Sequence, residues 1–351
     1  MSAETLLQDF LRDVHSLNAS DLHLSVGRSP IVRVDGALRV LEDRHPLSAE
    51  DLAQMVQCVM GIDRAPQFFK ERQGIDIAYE PSRDGLRFRV NMFWSRGEPA
   101  LVFRAISRTV RTLRDLSLPD TLLRFTEPKK GFVLFAAPSG HGKTTTMAAL
   151  VEYINQTRSE HIITIEDPIE YVYTDARSLV HQREIGTDTR SFPDAIRSAL
   201  REDPNILVIG EMRDLETIAA ALTVAETGHL VFGTIHTNDA AQTIDRILDA
   251  FPADRQSEVR VQLAGALTGV VSQRLLPRVS GGRVPIVEIL VANPAVRNLI
   301  REGETEQIPG LIQTGADAGM VSLERSIAEL LRRGEITPDA ARPYVSSNVP
   351  S

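Results

Sequence analysis

Glycine, lysine and threonine crowd together at one point of this chain. Within Phe132 to Met147 (FVLFAAPSGHGKTTTM) a short apolar run is followed by Gly140, Gly142, Lys143 and Thr144. Together these residue types can bind a polyphosphate. Glycines let backbone N–H groups crowd an anion, a following helix N-terminus adds positive potential, and lysine neutralises the outer phosphates. Ser139, Gly140, His141, Gly142, Lys143, Thr144 and Thr145 are therefore the candidate phosphate-binding residues. Thr144 also has a hydroxyl to place on Mg²⁺, a cation that keeps most of its waters. The run Phe132 to Ala136 predicts a buried strand and Thr144 onward a helix, which is the setting a P-loop needs. Ala137 stands where the pattern G-x-x-x-x-G-K-[ST] has its first glycine. That is tolerable if the position takes φ below zero.

Three further apolar runs end on polar residues suited to the same chemistry. Ile162 to Ile165 leads to Glu166 and Asp167, Ile206 to Ile209 to Gly210 and Glu211, and Leu230 to Ile235 to His236 and Thr237. In a parallel sheet the carboxyl ends of the strands share one edge, where ligands bind. One carboxylate after one strand is usually a solvated turn; four such endings in one domain point to a common site. Glu211 closes a Walker-B-like strand and is the candidate for holding the Mg²⁺ water shell or orienting the attacking water. Glu166 is the other candidate for that water, as general base. His236 is placed to donate to a terminal phosphate. His229, seven residues earlier in an extended strand, lies about 23 Å away at ~3.3 Å per residue, so a structural or subunit-contact role fits it better.

The rest of the chain must position these groups. Its 351 residues suffice for two domains, and 42% hydrophobic with 25% charged residues is ordinary globular composition. A net charge of −8 argues against a nucleic-acid binder that relies on phosphate neutralisation. The single cysteine, Cys58, excludes an internal disulfide and any multi-cysteine zinc site. There is no signal-peptide pattern and no apolar run near the ~20 residues that span a bilayer. Residues 1–106 read as an α+β domain. It has an amphipathic helix over 3–17, strands at 21–26, 31–34 and 38–41, a helix capped by Ser48 or Asp51 and running to Met60, and a second over 64–73. Strands fill 75–106, with turns expected at Asp35–Gly36 and Asp84–Gly85. Phe88, Val90, Met92 and Trp94 share one strand face, Arg87, Arg89 and Asn91 the other, and Arg96 and Arg104 follow. The arginine face has no obvious partner within its own small domain. Residues 107–128, polar and arginine-rich with Pro119 and Pro128, are expected to be an inter-domain linker with a short helix near Leu122. Residues 129–351 then read as an α/β domain whose parallel strands are buried on both faces.

At this point the motifs carry a family resemblance. Glu166-Asp-Pro-Ile-Glu-Tyr171 resembles the Asp box of secretion and pilus ATPases. The stretch Ala195 to Pro204 with Glu211-Met-Arg-Asp214 resembles their Walker B region, and His229 to His236 their His box. Ala295-Val-Arg-Asn-Leu-Ile-Arg-Glu302 is similar to the AIRNLIRE signature of PilT-type pilus retraction ATPases, with Val296 in place of isoleucine. The resemblance implies a PAS-like N-terminal domain and a RecA-like C-terminal domain. It also implies ATP and Mg²⁺ as cofactors and a ring-shaped homohexamer that powers pilus retraction. Its expected site is cytoplasmic, peripheral at the inner membrane through a pilus platform protein. A retraction ATPase paralogue is a further candidate partner, and nucleic acid is not. By the same resemblance Arg89, Arg96 and Arg104 face nucleotide; Arg89 and Arg104 come first, because Arg96 sits beside Gly97 in an expected turn. His141 departs from the small residue usual in the family; near phosphates its protonated form would be favoured. Val296, Leu299 and Ile300 fall on one apolar helix face and Arg297 and Arg301 on another. The signature makes that helix a coupling element whose Leu299 and Ile300 are expected to tolerate alanine without loss of ATPase activity. An accessory retraction paralogue, or a pilus-assembly or type II secretion ATPase, remains the alternative.

Overall fold

The computed structural model describes residues 2–34, 36–81, 87–106 and 109–344. They divide into two compact units, Met1–Thr109 with Glu170–Val172, and Val110–Ile169 with Tyr173–Ser351. The expected turn at Asp84–Gly85, and Asp35 of the other, lie outside the described residues.

In the first unit helix α1 (Ala3–Ser16) precedes strands β1 (Asp21–Ser25), β2 (Ile31–Val34) and β3 (Ala37–Val40). Helices α2 (Ala49–Met60) and α3 (Ala65–Glu71) and strands β4 (Ile75–Tyr79), β5 (Arg87–Ser95) and β6 (Glu98–Ile106) follow. The antiparallel sheet has the order β3-β2-β1-β6-β5-β4. Ser48 and Asp51 form a reciprocal capping box that starts α2. Arg96 and Gly97 both take positive φ in the β5–β6 turn, the backbone a two-residue hairpin loop needs. One sheet face is apolar and packs on the helices. Leu22, Leu24, Val32, Phe88, Val90, Met92, Leu101 and Phe103 are buried there with Leu7, Phe10, Leu11 and Val14 of α1 and Leu52, Met55 and Val56 of α2. Each such side chain contributes about 1.5–3 kcal/mol of burial.

The second unit holds the seven-stranded sheet. Strand β7 (Gly131–Ala136) leads into α4 (Lys143–Thr157), followed by β8 (His161–Glu166), β9 (Leu179–Glu184), α5 (Phe192–Ala199) and β10 (Ile206–Ile209). Then come α6 (Leu215–Glu226), β11 (Leu230–Ile235), α7 (Ala240–Asp249), α8 (Gln256–Ala266), β12 (Leu267–Pro277) and β13 (Arg283–Val291). Helices α9 (Pro294–Glu302), α10 (Ile308–Thr314), α11 (Leu323–Arg332) and α12 (Pro338–Ala341) end the chain. The order is β13-β12-β7-β11-β10-β8-β9, parallel throughout except for the β12–β13 hairpin. The four apolar runs are the four central strands. Alternate residues explain why they are apolar without a break. Phe132, Leu134, Ile163, Ile165, Leu207 and Ile209 enter the core under α5 to α10; Val133, Phe135, Ile162, Ile206 and Val208 enter the core under α4.

One expectation needs correction. The stretch read as a linker belongs largely to the second unit. Leu113, Leu118, Leu122 and Phe125 are buried against Val133, Phe135 and Leu150, and the helix near Leu122 is a 3₁₀ turn, Asp120–Thr126. Apolar spacing of three to five residues inside a polar composition hid a core-facing segment. The β12–β13 hairpin extends the sheet before α9 begins. Among the described residues no helix is long and apolar enough to cross a membrane.

Candidate active site

The P-loop joins β7 to α4 with the backbone that glycine permits. Gly140 has φ +78° and Gly142 φ +83°, whereas Ala137 is not in the positive-φ region, so alanine is unstrained there. Helix α4 starts after Gly142 without a side-chain cap, as do α3, α8 and α10, whereas α1, α2, α5, α6, α7, α9 and α11 have one. A 15-residue helix whose first N–H groups face the loop uncapped fits a phosphate. Lys143 is buried, and its Nζ donates to the carbonyls of Ala137 (2.6 Å) and Pro138 (3.4 Å). Ser139 and Gly140 are exposed, and Thr144 and Thr145 half-buried in the first turn of α4.

His141 does not turn outward. Its Nδ1 accepts the Leu275 N–H of β12 at 3.0 Å, so that nitrogen carries no proton. Burial lowers its pKa, and Arg274, Arg283 and Lys143 add to the effect. The ring is a neutral prop against β12, opposite to the protonated form expected.

Lys143, His236 and Glu211 meet at the ends of their strands. His236 Nδ1 lies 3.4 Å from Lys143 Nζ and its Nε2 2.9 Å from Glu211 Oε1. Arg213 Nε reaches the same carboxylate oxygen at 2.5 Å. Burial lowers the His236 pKa and Lys143 reinforces it, against the pull of Glu211. The ring is therefore neutral near pH 7, its Nε2–H donating to Glu211 and its Nδ1 accepting from Lys143. Burial raises the Glu211 carboxyl, but the hydrogen bond and charge of Arg213, with His236 and Lys143, outweigh it and hold the group below its ordinary value. Both ring nitrogens of His236 are thus engaged, so donation to a phosphate requires that one contact be exchanged.

Glu166 ends β8 beside Gly210 of the next strand. A Cβ at Gly210 would lie 3.2 Å from Glu166 Cα, so glycine lets the two strand ends approach. The Glu166 carboxylate is buried and accepts from Thr164 (2.6 Å) and Gln182 (3.2 Å). His229 lies before β11, its Nδ1 3.1 Å from the Val224 carbonyl, at the opposite end of the strand from His236.

The arginines of the first unit are not without partners there. Arg104 and Arg89 face each other across β5 and β6. Arg104 Nε donates to the buried Asp21 at 2.9 Å and Arg89 Nε to Asp76 at 3.4 Å. Both arginine side chains stay well exposed, 68% and 41%. Pairing with carboxylates of other strands left no signal in the sequence, because Asp21 and Arg104 are 83 residues apart and Asp76 and Arg89 13.

Helix α9 is half core. Val296 and Ile300 are fully buried in the main core, with Leu299 packed partly against it. Arg297 donates to the carbonyls of Ala292 (3.0 Å), Gly265 (2.7 Å) and Ala264, closing the C-terminal end of α8. The exposed face is Ala295, Asn298, Arg301 and Glu302. Ile300→Ala is therefore expected to destabilise the fold by about 2–5 kcal/mol and cannot test coupling, contrary to the expectation that alanine is tolerated there. Arg301→Ala should leave the denaturation midpoint within about 0.5 kcal/mol of the parent; chemical denaturation of both variants decides.

Sequence reasoning missed Arg213, two residues past Glu211, and the polar triplet Ser272-Gln273-Arg274 inside the apolar strand β12. The neighbouring Glu288 of β13 is half-buried and accepts the Ala240 N–H at 2.8 Å. Burial raises its pKa to about 7; Asp239 and Glu324 add to that, while the Ala240 N–H and Arg274 oppose it. The folded state then binds the extra proton between the ordinary 4.5 and about 7, so this group's contribution to stability is lost as pH rises through that window. Glu288→Gln should gain on the parent by at most about 3 kcal/mol at pH 8 and by little at pH 4, read from urea midpoints at the two pH values.

The family described as Type II/IV secretion system protein matches residues 1–337. A twitching motility protein of Neisseria gonorrhoeae is 48% identical over 315 residues, 90% of this chain and 83% of its own length. The type IV pilus retractation ATPase PilT of Pseudomonas aeruginosa is 45% identical over 92% of this chain and 93% of its own. A crystal structure of the pilus retraction motor PilT with bound ADP superposes with a TM-score of 0.90 at 42% identity, covering 97% of each chain. An uncapped P-loop helix, a carboxylate and histidine gathered at its strand ends and full-length similarity on this scale leave one assignment: the chain belongs to the Type II/IV secretion system protein family.

Proposed function

We propose that this chain is an ATP hydrolase that powers type IV pilus retraction, working as a homohexamer at the cytoplasmic face of the inner membrane against a pilus platform protein. The observation that carries the reading is the contact chain Lys143–His236–Glu211–Arg213 at the mouth of an uncapped P-loop. The P-loop backbone and Lys143 hold the phosphates of ATP, with Ser139, Gly140, His141, Gly142, Thr144 and Thr145 lining it. Thr144 and Glu211 are the residues to hold Mg²⁺ and its waters, and the metal supplies charge neutralisation on the phosphates. Glu166, fixed by Thr164 and Gln182, is the candidate base for the attacking water, and Glu211 can orient the same water. Because His236 bridges Lys143 and Glu211, a change at the terminal phosphate alters both contacts at once. Arg89 and Arg104 complete a neighbouring subunit's site. The exposed face of α9 is the candidate coupling surface to the pilus machinery.

Steady-state ATPase assay of the purified assembly tests the hydrolase reading. Turnover that requires Mg²⁺ and is unmoved by DNA supports it. Nucleotide binding without turnover would instead make the chain a nucleotide-gated binding subunit, and DNA-stimulated turnover would make it a translocase.

A further inference from the structure

Ser272, Gln273 and Arg274 are polar residues on a central-side strand, yet all three are buried, at 2%, 4% and 7% exposure. Strand β12 runs parallel to β7, with Ser272 level with Ala136, the last residue before the P-loop. Gln273 therefore stands beside the loop itself. Its Oε1 accepts the Thr146 hydroxyl of α4 at 2.7 Å, and its Nε2 donates to the His141 carbonyl at 2.8 Å. A Cβ on Gly142 would lie 2.7 Å from that Nε2, so the amide packs directly on the loop backbone. Leu275 adds the N–H bond to the His141 ring.

Alternation along a strand sends Ser272 and Arg274 to the other face of the sheet. There they hold Asn238, two residues past His236. Ser272 Oγ donates to the Asn238 carbonyl at 2.8 Å, and one Arg274 nitrogen donates to both the carbonyl and the side-chain oxygen of Asn238, each at 2.8 Å. The other Arg274 nitrogen donates to the Gln273 carbonyl at 2.8 Å. Two adjacent residues of one strand thus grip the two loops that carry Lys143 and His236. Those loops are also in contact with each other at Lys143 Nζ and His236 Nδ1.

We infer that Gln273 and Arg274 are a pair of positioning residues, Gln273 setting the P-loop for nucleotide binding and Arg274 setting the His236 loop for turnover. This inference rests on the proposed role of the Lys143–His236 site. Gln273 holds the P-loop through the His141 carbonyl and the Thr146 hydroxyl, a cradle that serves ground and transition state alike, so its loss weakens binding uniformly. Arg274 acts on a loop whose histidine meets the Walker-B glutamate, and a misplacement of about 1 Å in such a group costs on the order of 100-fold in rate. A binding loss appears in KM and a transition-state loss in kcat. A merely structural role would move both variants alike.

The test is ATPase kinetics of Gln273→Ala, Arg274→Ala, Arg274→Lys and Asn238→Ala, with ATP-analogue binding measured on each. Arg274→Ala should lower kcat on the order of 10- to 100-fold with KM within about threefold. Arg274→Lys should recover part of that loss, because lysine keeps one donor for Asn238. Gln273→Ala should raise KM about tenfold or more with kcat within about threefold. Asn238 is exposed, so Asn238→Ala serves if Arg274→Ala does not fold. It should lower kcat several-fold at unchanged KM. Indistinguishable profiles for Gln273→Ala and Arg274→Ala, or a parental kcat in Asn238→Ala, overturn the inference. Lys143→Ala run alongside separates the two levels: full turnover in that variant defeats the reading of the site, while its inactivity beside a parental Arg274→Ala defeats the positioning pair alone.

Discussion

Glu211→Gln and Glu166→Gln are each expected to cut ATP turnover by roughly 10²–10⁴-fold, the range over which a positioned general acid or base acts, while nucleotide binding stays close to the parent. Lys143→Ala should do the reverse first, because removing the phosphate counter-charge weakens binding itself. The structure sharpens the comparison between the two glutamates. Glu211 accepts from His236 and Arg213 together, so the glutamine variant replaces a charged acceptor between two donors and loosens His236 from the site. Glu166 is held by Thr164 and Gln182, which glutamine can still engage, so its loss reads more cleanly as loss of a base. Equilibrium binding of an ATP analogue beside single-turnover hydrolysis separates the cases. Parental hydrolysis in both glutamine variants would show that neither carboxylate serves the reaction.

Much of this site was legible because it sits where strands end. Buried parallel strands must be apolar on both faces, so Glu166, Glu211 and His236 mark the sheet edge by interrupting those runs. The P-loop was legible for a similar reason, since Gly140, Gly142 and Lys143 have no business in a strand-to-helix turn without an anion. What stayed hidden depends on tertiary approach. Gln273 and Arg274 look like an interruption of an apolar strand until β12 is laid beside β7. Asp21 finds Arg104 only once β1 and β6 are paired. Helix α9 shows its apolar face in the sequence, yet spacing alone could not say that Val296 and Ile300 bury completely. Between 110 and 126 a polar composition masks Leu113, Leu118, Leu122 and Phe125, which bury against the core of the second unit.

Mixing Arg104→Ala with Lys143→Ala protein should restore part of the activity that each variant lacks alone. Under subunit exchange some interfaces pair an intact P-loop with an intact arginine. Arginine suits the role because its planar fork holds phosphate oxygens at two points and keeps its charge. A finger of this kind is worth roughly 10³–10⁵ in rate in other P-loop enzymes, so the single variants should be nearly silent. The Asp21 partner does not preclude the role. Arg104 is two-thirds exposed and bonds through Nε, which leaves its terminal nitrogens for a phosphate while the carboxylate fixes the side chain in place. Arg89 is more weakly held by Asp76 and is the second candidate. No recovery after demonstrated exchange would count against an arginine acting in trans. Full activity in Arg89→Ala and Arg104→Ala alone would leave a solvated, ion-paired sheet face.

Whether ATP hydrolysis by this chain drives retraction is measured most directly by the phenotype of its host. In a strain deleted for this chain, surface pili should persist or increase while twitching stops. Expression of the parental chain should restore twitching, and the Glu211→Gln chain should not. Loss of surface pili on deletion would contradict the account and assign the chain to pilus assembly.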